Sequence, residues 1–292
     1  MAWQCRSTGE QPSRKAVSAP EEAPALGSSN PRIKLVRALH DRRGRREHGL
    51  FLAEGLRLVE EALIYATPCF VLYAAVLEAT ARGQALLQQA RKRGVPLFRV
   101  AEDVLQRLCE TVTPQGVLAV VPIPSPVTLE EHALAGRGPV LVLDRIADPG
   151  NAGTLLRSAE AAGAPAVLAG PGTVDLFSPK VVRAGMGAHF RLPLAQDLDW
   201  MAIRDQVLRA GARQIWVATP HGGTRFDRVD WTQPSALIVG GEAAGPSPEA
   251  LALATGRVSI PMEGPVESLN AAMAGTVLLF EALRQRLQER PG

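Results

Sequence analysis

Aromatic side chains are scarce, with two tyrosines, four tryptophans and seven phenylalanines among 292 residues. Proteins that grip single-stranded nucleic acid stack bases on such rings, so any nucleic-acid contact here points to backbone charge and shape instead. Cysteine is rarer still. Cys5, Cys69 and Cys109 are odd in number and far apart, which excludes a disulfide framework and a zinc spacing and points to a reducing cytoplasm. No apolar run approaches the roughly 18 residues of a membrane span. The first residues show no basic-then-apolar signal pattern. The P-loop lysine signature, a complete Gly-x-Gly-x-x-Gly, His-Glu-x-x-His and Gly-x-Ser-x-Gly are all missing, so those chemistries lack their marks. His189 and His221 stand alone and read as surface or structural histidines, and neither a metal site nor a membrane contact is expected.

What is there has the balance of a globular protein, with 46% hydrophobic residues, 21% charged residues and a net charge of +3. The length suits about two domains, each with its own core. Residues 1–30 are rich in Ser, Pro, Glu and Ala and read as a disordered leader. A transit peptide is the competing reading, and Glu10, Glu21 and Glu22 argue against it. Arg32, Lys34, Arg37, Arg42, Arg43, Arg45 and Arg46 then crowd into one short run, with Asp41 its only acid. Such a run is either a solvated helix face or a phosphate-neutralising surface for nucleic acid.

From Phe51 the pattern is α/β. Helices are expected over Glu54–Ile64, Leu77–Arg93 and Glu102–Cys109, and strands over Phe70–Ala75, Leu97–Val100 and Gly116–Val121. Residues 31–121 thus make one compact domain. Pro122, Pro124 and Pro126 open a stiff connection over 122–138. Residues 139–292 make the second domain, a helix-flanked, mostly parallel sheet. Its strands are expected at Pro139–Leu143, Ala166–Ala169, Phe190–Leu192, Gln214–Ala218, Ala236–Val239 and Val258–Ile260. A helix follows Asp148-Pro149-Gly150-Asn151, another is capped by Ser178 with Pro179 behind it, and another spans Trp200–Ala210. Ser268 reads as the N-cap of a long final helix, on which Leu269, Met273, Val277, Phe280 and Leu287 form one apolar face.

Chemistry concentrates between Val239 and Gly275. Two strand ends, the glycine-rich turn Gly240-Gly241-Glu242-Ala243-Ala244-Gly245, the loop Ile260-Pro261-Met262 and the start of Ser268-Leu269-Asn270 fall close together in sequence. Ligands of α/β folds collect at strand carboxyl ends and helix N-termini. Asn151 with Arg157, Glu242, and Ser268 with Asn270 all fall at such places. Taken singly, Asn151 and Ser268 are helix caps and Arg157 is a surface arginine.

Taken together, their order and spacing resemble the SpoU/TrmH-type RNA 2′-O-ribose methyltransferases of the SPOUT superfamily. The resemblance rests on Asp148-Pro149-Gly150-Asn151-Ala152-Gly153 through Arg157, on Gly240 through Gly245, on Ile260-Pro261-Met262 with Ser268-Leu269-Asn270, and on Ser178 through Ala184. Phe51 through Gly55 and Thr113 through Val117 resemble the family's ribosomal-protein-L30e-like substrate-binding domain. Gly185 stands where the family often has serine, and Ala271 replaces a common valine. The resemblance implies a deep trefoil knot in the second domain and S-adenosylmethionine bound near Gly240, Ile260, Met262 and Leu269. It implies a homodimer in which Arg157 of one subunit faces the cofactor of the other. It also implies catalytic or positioning roles for Arg157, Asn151, Glu242, Ser268 and Asn270. RNA, with 23S ribosomal RNA favoured, becomes the expected substrate, and Arg32, Lys34, Arg42, Arg43, Arg45 and Arg46 become its expected contacts. Two other classes share parts of the pattern. An RNA-binding assembly protein would keep the fold without this residue set, and a dinucleotide oxidoreductase would need the phosphate fingerprint that is missing.

Overall fold

The computed structural model describes residues 26–130, 133–134, 137–241, 245–265 and 267–289. It divides into two compact units, residues 1–123 and 124–292.

The first unit begins with two short helices, α1 (Pro31–Ala38) and α2 (Arg42–His48). It continues through β1 (Leu50–Glu54), α3 (Leu56–Tyr65), β2 (Phe70–Tyr73), α4 (Ala75–Glu78), α5 (Ala81–Lys92), β3 (Leu97–Arg99), α6 (Glu102–Leu108) and β4 (Val117–Pro122). The four strands form one sheet in the order β1-β4-β2-β3. β4 is antiparallel to both neighbours, and β2 and β3 run parallel. Ile33, Val36 and Leu39 of the basic segment pack with Leu52, Leu72, Leu118 and Val120, so the arginine-rich stretch is anchored by its apolar third positions. Strand β1 adds to the expected elements. Leu50–Glu54 is a short apolar run that alternation does not mark, and it pairs with β4 in the core. The single helix expected over Leu77–Arg93 is broken at Thr80, whose hydroxyl caps α5 by accepting from Gly83 N. Order also begins before residue 31: Leu26 N donates to Arg99 O and the Asn30 side chain caps α1. Residues 1–25 lie outside the described residues.

The second unit contains β5 (Val140–Asp144), α7 (Pro149–Ala161), β6 (Val167–Ala169), α8 (Pro179–Gly185), β7 (Leu194–Ala195), α9 (Trp200–Arg209), β8 (Gln214–Ala218), β9 (Thr224–Arg225), β10 (Ser235–Gly240), α10 (Pro248–Leu253), β11 (Gly256–Ser259) and α11 (Ala271–Glu289). Its seven strands are all parallel, in the order β7-β6-β5-β10-β8-β11-β9. β10 enters late in the chain and takes the place between β5 and β8. Parallel strands covered on both faces read as continuous apolar runs, and Val140–Leu143 and Ala236–Val239 are indeed buried end to end.

Four expectations change here. The segment 122–138 is not a free spacer: Leu129 and Leu134 are buried in the second core, and Val127 N donates to Leu194 O. Phe190–Leu192 is not a strand. Ala188–Phe190 makes a 3-10 turn, and the strand is the two residues Leu194–Ala195. Ser178 occupies the N-cap position of α8 without capping it, its hydroxyl buried with no partner among the described residues. Finally, the apolar face of α11 that faces the core is not the one expected. Ala271, Ala272, Gly275, Leu278, Leu279 and Ala282 are turned inward. Gly275 suits this close approach, since a Cβ on it would lie 2.5 Å from Leu155 Cδ2 of α7 and that side chain would have to shift. Met273, Phe280 and Leu287 remain 58%, 44% and 55% exposed.

Candidate functional site

A cavity of about 450 Å³ opens at the carboxyl edge of the second sheet. β8 contributes its end and the residues beyond it through His221, β10 contributes Gly240 and Gly241, β11 is followed by Ile260 and Met262, and the start of α11 closes the side with Asn270, Ala271 and Ala274. The place follows from the topology, because β10 slots between β5 and β8 and the neighbouring strand ends leave a crevice. The glycines allow the close turn. A Cβ on Gly240 would meet Pro246 N at 2.6 Å, and one on Gly241 would meet Arg145 O at 2.4 Å. The described ends of the turn are joined, Gly245 N donating to Gly241 O at 3.1 Å.

The side chains expected at this site are distributed unevenly. Gly240, Ile260, Met262, Ser268, Leu269 and Asn270 all line the cavity. Glu242 lies outside the described residues. Asn270, not Ser268, caps α11, its Oδ1 accepting from Ala272 N at 3.0 Å and Met273 N at 3.1 Å. The chain stays non-helical through Ser268 and Leu269, so Ser268 is left exposed at the cavity rim. Asn151 does not cap α7 either. Asp148 does, accepting from Asn151 N at 2.8 Å. The Asn151 side chain instead accepts from Asn270 Nδ2 at 3.0 Å, which ties the first turn of α7 to the first turn of α11. Arg157 is not a lining residue. Leu155 and Ser158 occupy the face of α7 that meets α11, Ser158 Oγ lying 2.8 Å from Thr276 Oγ1, while Arg157 points to solvent.

Several lining residues have no mark in the sequence. Thr219, His221 and Glu267 belong to loops without a signature. Thr219 Oγ1 is buried with no hydrogen-bond partner among the described residues, a group that costs stability until something bonds to it. His221, expected at the surface or in a structural place, is exposed and stands at the rim. His189 is structural: it is buried, Nε2 lies 2.7 Å from Leu176 O, and burial lowers its pKa to about 4. Burial first and the nearby Glu54 carboxylate second push the Cys109 thiol up to about 12, which favours its protonated form.

The profile of the SpoU rRNA Methylase family matches residues 138–280. That of an MRM3-like substrate binding domain matches residues 30–119. The chain is 32% identical over 253 residues to the 23S rRNA (guanosine(2553)-2′-O)-methyltransferase RlmP of Bacillus subtilis, covering 87% of this chain and 96% of that protein. It is 33% identical over 298 residues to the human mitochondrial rRNA methyltransferase 3, covering 82% and 69%. The crystal structure of the SpoU methyltransferase AviRb from Streptomyces viridochromogenes in complex with AdoMet superposes with a TM-score of 0.77 at 33% identity, covering 89% of this chain and 100% of that one. The chain belongs to the SpoU rRNA methylase family.

In this SpoU-family chain the basic run does not act as one surface. Lys34, Arg42, Arg43 and Arg46 are exposed. Arg32 is half-buried, its guanidinium 4.0 Å from the Phe98 ring centroid. Arg45 is only 4% exposed, and its Nη1 donates to Leu39 O at 2.8 Å and His40 O at 2.7 Å. Those carbonyls belong to the end of α1, where helical partners run out. Arg45 is therefore corrected from an RNA contact to the tie between α1 and α2. Among the described residues, no group of three or more His, Cys, Asp or Glu is placed to hold a metal ion, and no helix is long and apolar enough to cross a membrane.

Proposed function

We propose that this chain methylates a ribose 2′-hydroxyl of 23S ribosomal RNA with S-adenosylmethionine as donor. The observation that carries the reading is the cavity itself, because the strand-end glycines and the Asn270-capped helix of the family pattern converge on it. The residues present fit the donor. The volume suits a small molecule. Val239, Val258 and Leu278 give an apolar wall for a ring, and Glu267 brings a negative charge to the rim for a positively charged ligand. Main-chain groups near Gly240, Ile260 and Leu269 hold it, with Met262 beside them. When bound, the donor supplies a methyl carbon made electrophilic by its positive sulfur.

The protein's part is positioning, which is most of the catalysis when the electrophile is already active. Asn270 and Asn151 fix the two helix starts at the site, and Ser268 and Glu242 orient the ribose. Arg157 orients the hydroxyl and stabilises developing negative charge on the oxygen. A guanidinium offers donors and no acceptor, so a substrate phosphate or water takes the proton. The outward direction of Arg157 supports a homodimer in which it serves the partner's cavity. The exposed Met273, Phe280 and Leu287 support the same arrangement, since an uncovered apolar stripe marks an interaction surface. We infer that the segments around β10 and β11 form a deep trefoil knot, and that the first unit is an L30e-like domain gripping RNA through Lys34, Arg42, Arg43 and Arg46. Arg32 joins them at the edge. A cytoplasmic location completes the reading, supported by the bacterial relative.

The test is transfer of labelled methyl from S-adenosylmethionine to ribosomal RNA lacking the modification. Retention of label in 2′-O-methyl nucleosides is expected. Binding of RNA without transfer would favour an assembly protein instead.

A further inference from the structure

Within that reading, on which this inference rests, we propose that Arg145 is a positioning residue that clamps the glycine turn of the donor cavity, with Asp144 as the buried counter-charge that aims it. Arg145 directly follows β5 and has φ 57°, a left-handed conformation that L side chains adopt only at a cost. Glycine would stand there without strain, and the arginine brings a reach that glycine lacks. Its Nη2 donates to Gly245 O at 3.1 Å. Its own carbonyl oxygen lies beside the other limb of the turn, so close that a Cβ on Gly241 would be 2.4 Å away. One residue thus contacts both ends of the turn, and Gly241 and Gly245 both line the cavity.

Asp144 completes the device. It is fully buried. Its Oδ2 accepts from Ser247 N at 2.6 Å, just past the turn. Its Oδ1 has no hydrogen-bond partner among the described residues and faces Arg145 Nε at 3.7 Å, an ion pair beyond hydrogen-bond range. A buried carboxylate needs a cation nearby, so the pairing fixes where the guanidinium points. The carboxylate and the guanidinium thus both hold the outgoing limb of the turn, at Ser247 and Gly245. Without the arginine side chain, Gly245 O loses that hydrogen bond and the cavity wall at Gly245 is held less firmly. S-adenosylmethionine must then select the binding-competent state, which weakens binding without touching the reaction.

The test is calorimetric titration of S-adenosylhomocysteine into the wild type, Arg145→Gly and the double variant Asp144→Asn/Arg145→Gly, with methyl transfer measured at saturating donor. Both variants are expected to bind about tenfold more weakly, as for loss of one charge-assisted hydrogen bond. Their kcat stays within about threefold of wild type. Arg145→Gly leaves a lone buried charge and lowers the thermal midpoint, and the added Asp144→Asn restores the midpoint but not the affinity. Wild-type affinity in the double variant overturns the clamp, as does a fall in kcat matching the fall in affinity. A wild type that binds no S-adenosylhomocysteine overturns the cavity's assignment itself, and this is seen before any variant is compared.

Discussion

Asn270 Nδ2 donates to Asn151 Oδ1 across 3.0 Å, joining two helix starts that lie 119 positions apart in the chain. The same Asn270 side chain caps α11 through its oxygen. One amide therefore ties the start of α7 to the helix start that lines the cavity. Replacing Asn270 by Ala is expected to cost about 1–2 kcal/mol of stability, the range for a lost cap, and to weaken donor binding. Asn151→Ala keeps the Asp148 cap and loses only the cross-link. A double-mutant cycle on thermal or denaturant unfolding is expected to give a coupling energy of at least about 0.5 kcal/mol. Additive effects would show that the two amides do not work together.

Arg157→Ala is expected to lower kcat by about two orders of magnitude or more, the scale of removing a donor aimed at developing charge. Binding of S-adenosylhomocysteine should stay near wild type, since Arg157 is not part of its own chain's cavity lining. If it serves the partner, mixing Arg157→Ala subunits with subunits disabled in the cavity restores activity. Near-normal transfer by Arg157→Ala would remove it from the mechanism.

Met273 and Phe280 stand exposed on one side of α11. Changing both to Asp is expected to leave the fold intact and to shift the protein to a monomer in sedimentation. Activity should vanish with the dimer. A monomeric wild type, or an active monomeric variant, would contradict the shared site.

For the basic segment, Arg42→Glu, Arg43→Glu and Arg46→Glu together are expected to weaken RNA binding and flatten its dependence on salt. The slope of log affinity against log salt drops by about 0.7–0.9 for each phosphate that is no longer neutralised. Arg45→Glu instead destabilises the first unit, because it buries an acid against the carbonyls of Leu39 and His40. Equal effects on binding and none on stability from Arg45→Glu would refute this division.

His189 gives a pH prediction. Its pKa falls from 6.5 to about 4 in the folded state because burial disfavours the charged ring. Below pH 6.5 the unfolded chain therefore binds a proton that the folded chain refuses. Its contribution is fully present above about pH 6.5, is lost as pH falls to about 4, and reaches roughly 3 kcal/mol. In His189→Gln, denaturant midpoints over this window should fall less steeply than in the wild type. Parallel curves would show that His189 is not the titrating group.

The site's location is readable in the sequence because its parts are punctuation: glycines after an apolar strand, a proline loop, and polar caps before a periodic helix. The sequence is silent where two residues satisfy the same rule. Ser268 and Asn270 are both good caps, and only the path of the chain between them decides. Periodicity finds an apolar stripe on α11 but not its partner, and the small residues Ala271, Ala272 and Gly275 face the core because α7 approaches so closely. Arg45 looks like its neighbours in a charge run, and its burial follows from the end of α1, a tertiary fact. The loop carrying Thr219 and His221 leaves no mark because its place at the cavity comes from strand order rather than residue type.

The most direct measurement is nucleoside analysis of 23S ribosomal RNA after incubation with purified protein and methyl-labelled S-adenosylmethionine. The account predicts label in a single 2′-O-methylated nucleoside, formed about a hundredfold or more slowly by Arg157→Ala. Label confined to a base, or none transferred by a protein that binds the donor, would contradict it.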